Sequence, residues 1–277
     1  KSVPACQKEF YNPETVIADV RKHVVETRKT HEVLDFLTFV PDGEPTLDIH
    51  LCYEIQSLLT EHIKIAVITN SSLLALPSVK EALMHAHWVS LKVDAVQTGT
   101  WHRINRPHPA LDLNSILDHI LEFACEYKGT LVTETMLVRG LNDSFRELKP
   151  LADFIEQIRP DTAYLSVPTR PPAETRVQAP EESQLVRAFT MLQNKVEHVE
   201  TLTGYEGNAF SSTGDVEKDI ARIAAVHPMR KDAVEQVLEK RGAGWEVIEK
   251  MLEQHILAAR PYQGETFYTR VLKTRNK

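Results

Sequence analysis

The sequence predicts an α/β fold, an incomplete barrel of parallel strands followed by a small helical domain. Two observations predict it. Up to about residue 200, strand-length apolar runs alternate with amphipathic helix-length segments, which is typical of repeated βα units. After Phe210 the pattern changes to three helix-length segments and a hairpin. With 277 residues, the chain is long enough for one large domain and a small one.

The predicted elements follow one another with short connections. A helix capped by Asn12 begins at Pro13, because asparagine caps helices well and proline suits the first helical position. Apolar periodicity predicts the other helices of the first domain over residues 48–61, 77–86, 112–127, 144–157 and 182–193. The predicted strands cover residues 34–40, 64–69, 88–94, 131–138, 163–167 and a last extended stretch at 196–202.

The first of these strands ends in a turn that we expect to hold a ligand. It stops at the sequence PDGEP, residues 41–45, and parallel α/β folds bind ligands at the carboxyl ends of strands. Two prolines and a glycine stiffen the turn, so its carbonyls and the Glu44 carboxylate point in fixed directions. A rigid array of acceptors suits the ammonium group of a ligand.

Polar residues on strand faces mark a second part of the predicted site. Ser90, Lys92 and Asp94 alternate with apolar residues, so they share one face of their strand. They either line an open barrel lumen, with Lys92 or Ser90 near a carboxylate, or form a Lys92–Asp94 pair at a solvent edge. Glu134 shares a face with Met136, and its expected partner is Lys92 or the substrate. We regard Glu134 and Lys92 as the candidate catalytic residues.

Two further strand ends carry polar residues. Asn70 and Ser71 end an apolar strand, where Asn70 either contacts a ligand or tolerates a left-handed turn. Thr169 and Arg170 follow another strand, and Arg170 either binds a carboxylate or phosphate or forms a loop salt bridge. Residues 101–109 are predicted as a loop with four basic or imidazole side chains, Arg103, Arg106, His102 and His108. They either bind an anionic substrate or RNA, or an arginine among them contacts Asp94 or the barrel rim.

Cysteine and histidine spacing predicts no metal site in this chain. The three cysteines are far apart, and there is no H-E-x-x-H sequence. Cys52 shares an apolar helix face and is predicted as a core residue, and Cys125 as a structural thiol on or near the helix at 112–127. We interpret the remaining candidates, His85, His87 and His227, as structural or solvent-facing.

The C-terminal region predicts a winged-helix-like domain over residues 215–277, joined by a linker at 211–214. Three helices, about 215–226, 230–241 and 244–255, precede a hairpin around Gly264. Its third helix has a core stripe of Trp245, Ile248 and Leu252, and otherwise carries glutamates against a single lysine, which repels phosphate. This favours a lid or protein-docking role over DNA binding.

Six blocks in order resemble one known family. The turn Asp42-Gly43-Glu44-Pro45 is similar to the Gly-Gly-Glu-Pro turn of radical S-adenosylmethionine (SAM) enzymes, with Asp42 in place of the first glycine. The similarity continues through ITNSSLL, SLKVDAV, RINRPH, MLVRGLND and PTRPPAE. Together these resemble the wyosine-synthetase-like branch of that superfamily. The resemblance implies a partial (βα)6 TIM-like barrel over residues 1–210, with SAM as cofactor.

The resemblance also assigns roles. It implies that residues 43–45 hold the methionine amino group and that Asp94 binds the ribose. The loops after residues 138 and 167, with Met136, Thr169 and Arg170, would contact adenine or substrate. The family also binds a 4Fe-4S cluster through a C-x3-C-x2-C loop, a spacing that does not occur here. We expect the cluster ligands and the first strand upstream of Lys1, so the chain is either a fragment or a naturally degenerate form.

Two function hypotheses follow. The preferred one is a radical SAM enzyme core that, with its cluster, generates a 5′-deoxyadenosyl radical and abstracts hydrogen from an unknown substrate. The alternative is a degenerate barrel plus winged helix that acts as a non-catalytic binding or regulatory protein. The net charge of −7 disfavours general nucleic-acid binding, and tRNA is suggested only by the family branch. No membrane segment is evident, and three cysteines without a framework favour the cytoplasm.

Overall fold

The computed structural model describes residues 7–29, 33–40, 43–172, 174, 176–203, 215–226, 228–262 and 264–271. These residues divide into two compact units. The first unit comprises residues up to 22, 34–168 and 177–203, and the second comprises 23–33, 169–176 and the chain from 204 onwards. The predicted linker at 211–214 and His227 lie outside the described residues.

The first unit is built on a six-stranded parallel sheet in sequential order, as an α/β partial barrel requires. All six predicted strands are confirmed, including the last. Their bounds are β1 Phe36–Phe39, β2 Lys64–Thr69, β3 Trp88–Lys92, β4 Thr130–Met136, β5 Thr162–Ser166 and β6 Val199–Leu202.

Helices connect the strands and cover one face of the sheet. Their bounds are α1 Pro13–Lys29, α2 Leu51–Leu58, α3 Pro77–Met84, α4 Thr98–Asn105, α5 Leu113–Glu126, α6 Phe145–Ile158 and α7 Glu182–Gln193. The predicted helix at 48–61 is shorter than expected. It is preceded by a 3-10 turn at Pro45–Leu47 and followed by another at Leu59–Glu61.

The strands separate an apolar face from a polar one, as the alternation in the sequence predicts. Val89 and Leu91 of β3 are fully buried in a core that they share with helices α1 to α3 and α5 to α7. Ser90 and Lys92 point the other way, and Lys92 lies opposite Glu134 of β4 in the strand register. The polar residues therefore collect on the sheet face that does not pack against the helices.

The prediction of a loop over residues 101–109 is wrong in its first half. Helix α4 extends to Asn105, and Arg106 ends it in a left-handed conformation with φ of 47°. Trp101 of this helix is buried in a small cluster with Ala95 and Leu113. A helix of two turns with one apolar anchor has no readable stripe, so its burial became apparent only in the folded chain.

The two described cysteines differ in burial. Cys52 on α2 is partly buried and packs against the main core, as predicted. Cys125 lies on α5 as predicted, but its thiol is exposed. It follows the buried Phe123 by two residues, which places it about 200° around the helix from that apolar stripe.

The second unit contains the three predicted helices and the predicted hairpin. The bounds are α8 Val216–Val226, β7 Met229–Arg230, α9 Lys231–Lys240, α10 Glu246–Glu253, β8 Leu257–Tyr262 and β9 Glu265–Arg270. The antiparallel sheet has the order β7-β9-β8, so the short strand β7 adds to the hairpin and was not predicted. In α10, Ile248 and Met251 are fully buried, whereas Trp245 and Leu252 pack only partly against the core.

Among the residues that the structure describes, no helix combines the length and apolar character needed to span a bilayer.

Glu54 on α2 provides a test of the packing in the first unit. Its side chain is buried, and burial, with a smaller contribution from Asp48, raises the pKa of Glu54 to about 7. The folded state therefore holds this proton more tightly than the unfolded state. Stability is lost as the pH rises from about 4.5 to about 7.

We expect Glu54→Gln to remove this loss. Above pH 7 the variant should be more stable than the wild type by about 1 to 3 kcal/mol, since each pKa unit corresponds to about 1.4 kcal/mol. Below pH 4.5 the two should have similar stability. Urea unfolding across this pH range measures the difference, with Glu122→Gln on the exposed face of α5 as control. A constant difference at all pH values would contradict the titration of Glu54.

Candidate functional site

The carboxyl ends of strands β1 to β5 meet at one edge of the parallel sheet. The structure brings most of the predicted site residues to this edge or to the polar sheet face beside it. Glu44 follows β1, Asn70 and Ser71 follow β2, and Lys92 and Asp94 lie at the end of β3. Glu134 and Met136 lie near the end of β4, in register with Lys92 of β3 and Ser166 of β5 respectively.

Glu44 attaches the first turn to the neighbouring strand end. Its carboxylate is buried and accepts four hydrogen bonds from three residues. They come from the Thr46 N–H at 3.2 Å, the Thr46 hydroxyl at 2.7 Å, the Thr69 hydroxyl at 2.6 Å and the Asn70 N–H at 2.6 Å. Burial raises the pKa of Glu44, and these donors counteract the increase. The carboxylate therefore holds the turn in place.

The turn leaves space beside its glycine. Gly43 is exposed, and a Cβ built on it would meet no atom within 4 Å. Pro45, in contrast, is buried at the start of the 3-10 turn. Asp42, the fourth residue of the predicted binding turn, lies outside the described residues. The accessible part of the described turn is thus the backbone around Gly43.

Ser71, rather than Asn70, has the left-handed conformation after β2. Its φ is 65°, which is uncommon for a residue with a side chain. Asn70 stabilises the turn by accepting a hydrogen bond from the Ser72 N–H at 2.9 Å. The Ser71 hydroxyl is buried and, within the described part of the chain, has no hydrogen-bond partner. A buried unsatisfied hydroxyl at a strand end is suited to a bound ligand.

Lys92 is placed between two carboxylates. Its Nζ lies 3.3 Å from Asp94 Oδ1 and 3.4 Å from Glu134 Oε1, so the predicted pairing with Glu134 is confirmed. Burial opposes the ammonium charge, but the two carboxylates outweigh burial and raise the pKa of Lys92. The Ser166 hydroxyl donates to the same Glu134 oxygen at 2.9 Å. Lys92 is therefore a fixed cation.

The three charged side chains differ in accessibility. The side chains of Lys92 and Glu134 are 27% and 23% exposed, whereas that of Asp94 is 1% exposed. Asp94 also accepts from the Met136 N–H and from Asn105 Nδ2, each at 2.9 Å. A ligand can therefore reach Lys92 and Glu134 directly. Asp94 is occupied by protein donors on both carboxylate oxygens.

Asn142 fastens the ends of β3 and β4 together. Its Nδ2 donates to the carbonyls of Asp94 and Met136, both at 2.9 Å, and its Oδ1 accepts from the Val138 N–H at 2.8 Å. The side chain is buried, so all three bonds are protected from water. Asn142 thus sets the position of the Asp94 backbone.

The remaining predicted site residues have different surroundings. Ser90 is buried two residues before Lys92, on the same face of β3. It is in register with Ile68 of β2 and Val132 of β4. Thr169 and Arg170 belong to the second unit. Arg103 donates to the Thr100 hydroxyl at 3.0 Å, and the amide of Asn105 donates to Asp94.

Sequence reasoning missed the residues that support the charged groups. These are Thr46, Thr69, Asn105, Asn142 and Ser166. Four of the five lie at or just beyond a strand end or in the turn after one, and that position is the one signal by which they could have been found. Asn105 ends a helix and had no such signal.

The described cysteines do not form a ligand set for an iron–sulfur cluster. A 4Fe-4S cluster is held by several converging thiolates. Cys52 is partly buried on α2 and Cys125 is exposed on α5, and Cys6 lies outside the described residues. The polar sheet face, with its accessible lysine and glutamate, suits a polar ligand.

Comparison with known proteins identifies relatives by sequence. The chain is 36% identical over 273 residues to the UPF0026 protein MJ1312 of Methanocaldococcus jannaschii, covering 98% of this chain and 84% of that protein. It is 38% identical over 140 residues to a UPF0026 protein of Helicobacter pylori, covering 50% of this chain and 45% of that protein. No protein-family model matches the chain.

Solved structures show the fold. A structure of TYW1 with a lysine-pyruvate adduct bound aligns with a TM-score of 0.51 and 18% identity, covering 67% of this chain and 64% of that one. Streptococcus suis SuiB bound to S-adenosylmethionine aligns with a TM-score of 0.51 and 14% identity, covering 73% and 48%. A radical SAM methyltransferase from Sphaerobacter thermophilus has the same TM-score at 14% identity, covering 71% and 59%. The six-stranded sheet thus has a fold similar to that of these three structures.

The role of Asn142 can be tested through stability. We expect Asn142→Ala to lower the free energy of unfolding by about 2 kcal/mol or more, because it leaves two buried carbonyls and one N–H without partners. Gln97→Ala, which removes one solvent-exposed hydrogen bond to the Arg146 carbonyl, should cost less than about 1 kcal/mol. Urea denaturation compares the two variants, and equal losses would argue against this role for Asn142.

Proposed function

We propose that this chain, which belongs to the UPF0026 family, is the SAM-binding core of a radical SAM enzyme. The proposal rests mainly on Lys92, a lysine fixed between two carboxylates and accessible at the strand ends. It is supported by a fold shared with radical SAM enzymes, one of which was solved with SAM bound. Together, fold and site favour this ligand over a purely structural role for the charged groups.

The charge of the cluster matches that of SAM. Lys92, Asp94 and Glu134 carry one positive and two negative formal charges, so the cluster has a net charge of −1. SAM has a sulfonium, an ammonium and a carboxylate, and so a net charge of +1. A negative cluster attracts such a ligand as a whole, while Lys92 provides a local partner for its carboxylate.

The turn after β1 is proposed to bind the amino group of SAM. Glu44 holds this turn against β2 through its bonds to Thr69 and Asn70. The exposed backbone at Gly43 then faces open space in a fixed position. A preorganised acceptor costs less entropy on binding than a mobile one. In this assignment Glu44 is a positioning residue, and the turn backbone contacts the ligand.

Asp94 is proposed to act through Lys92. Its carboxylate accepts from the Met136 N–H and Asn105 and is 1% exposed, so a ribose hydroxyl would reach it only if one of the covering groups moved. The prediction of a direct ribose contact remains open to test. The geometry favours a different role, in which Asp94 directs the Lys92 ammonium towards the ligand.

The chemistry of this enzyme class needs a reduced 4Fe-4S cluster, which cleaves SAM to a 5′-deoxyadenosyl radical. The described cysteines do not fit such a cluster, so we derive no step through it. The part proposed for this chain is to bind and orient SAM. Glu134, which is 23% exposed beside Lys92, is the candidate for contact with the hydrogen donor, whose identity is unknown.

For the second unit we propose a lid or protein-docking role. Helix α10 carries Glu246 and Glu249 in its first turn, and its Lys250 donates to Glu217 of α8 at 2.6 Å. The one lysine of α10 is therefore already paired with a carboxylate, and the helix surface is acidic. Such a surface repels the phosphates of DNA or tRNA.

We expect Lys92→Met to weaken SAM binding by about tenfold to a hundredfold, because a charge-assisted hydrogen bond is worth about 1.5 to 3 kcal/mol. The measurement is equilibrium dialysis with labelled SAM, on the full-length protein reconstituted anaerobically with iron and sulfide. Lys149→Met is the matched control, since Lys149 pairs with Asp153 on the surface of α6. Equal affinity of both variants and the wild type would overturn the assignment of Lys92.

The radical chemistry is tested separately. After reduction, the reconstituted protein should cleave SAM to 5′-deoxyadenosine, detected by chromatography. Glu134→Gln should keep SAM affinity within about threefold of the wild-type value, since Lys92 still pairs with Asp94. It should change the amount of 5′-deoxyadenosine formed for each substrate molecule consumed. SAM binding without any cleavage product would support a binding protein rather than an enzyme.

A further inference from the structure

A group of potential metal ligands lies on the helical layer of the first unit. Cys52 of α2, Glu81 of α3 and His85 at the end of α3 each offer one ligand atom, and these atoms lie within 4.8 Å of one another. Among the described residues, this is the only group of three potential metal ligands that lie this close together. Helices α2 and α3 pack side by side, so the group bridges two elements that are 29 residues apart at Cys52 and Glu81.

Helix geometry explains how the three side chains converge. Glu81 and His85 are four residues apart, which places them on the same face of α3. Cys52 and Gln56 have the same spacing on α2. Gln56 Nε2 lies 2.9 Å from His85 Nε2, so the amide contacts the imidazole across the helix interface. An amide N–H only donates, so Nε2 is unprotonated in the metal-free form, and a metal ion would take the place of this donor.

In the metal-free form the partly buried Cys52 thiol lies beside the Glu81 carboxylate. A divalent cation attracts both a carboxylate and a thiolate, so its binding would favour loss of the thiol proton. Binding would form a metal–sulfur bond and release the thiol proton to solvent.

We propose that Cys52, Glu81 and His85 form a binding site for a divalent transition-metal ion of the zinc class. Thiolate, imidazole and carboxylate together suit Zn²⁺, whereas Mg²⁺ and Ca²⁺ prefer oxygen ligands alone. Tetrahedral zinc binds its ligands at about 2.0 to 2.3 Å, so the ligand atoms must approach by about 1 Å. Rotation of side chains near the surface is sufficient for that.

Three protein ligands leave one position of a tetrahedral ion for water or another group. This site uses helices α2 and α3 and none of the residues assigned to SAM binding. Failure of one proposal therefore leaves the other unaffected. A metal at this position would connect α2 to α3, and so stabilise the packing of two helices that flank strand β2.

The test uses Co²⁺ as a spectroscopic probe for zinc. The full chain with Cys6→Ser and Cys125→Ser leaves Cys52 as the one thiol, and is titrated with Co²⁺ without iron or sulfide. We expect one equivalent to bind, with a thiolate-to-cobalt charge-transfer band and intense visible bands of tetrahedral Co²⁺. Zn²⁺ should displace the cobalt and abolish these bands. Circular dichroism before titration confirms that each variant is folded.

Two variants in the same background make the assignment specific. His85→Ala should weaken Co²⁺ binding at least tenfold and change the visible bands, and Cys52→Ser should remove the charge-transfer band. His119→Ala on α5, outside the group, is the matched control and should have no effect. Absence of the band in the background protein would overturn the proposal. The same is true of a band that His85→Ala leaves unchanged, since the thiol would then bind cobalt without the site.

Discussion

The buried carboxylate of Asp94 is the interaction on which the geometry of the site depends. It joins β3 to β4 through the Met136 N–H, binds Asn105 at the end of α4, and pairs with Lys92. A carboxylate with 1% of its side chain exposed would be costly without these partners. Because the partners come from three different segments, Asp94 stabilises the relative positions of all of them.

Glu44 has the same role in the turn after β1. Both oxygens of this buried carboxylate accept from donors at the end of β2 or in its own turn. In each case a fully occupied carboxylate fixes a strand end, and an accessible group beside it remains for the ligand. That group is the backbone at Gly43 beside Glu44, and Lys92 with Glu134 beside Asp94. Preorganisation of this kind limits the entropy lost on binding.

The polar residues of the chain thus fall into groups with separate physical roles. The strand-end carboxylates hold the site together, whereas burial raises the pKa of Glu54 to about 7. On the helical layer, Glu81 lies beside a thiol and an imidazole, an arrangement that suits a divalent cation. In each case the surroundings of a carboxylate, more than its residue type, indicate what it does.

The sequence by itself determined the strands, most helices and the polar face of the sheet. Alternation and helical periodicity are local properties, and parallel register makes Lys92 and Glu134 neighbours once both strands are known. Only the tertiary structure decided which carboxylates are occupied and which are accessible. Asn105 and Asn142 reach Asp94 from 11 and 48 residues away. Such contacts depend on how loops close over the sheet, and local periodicity contains no information about that closure.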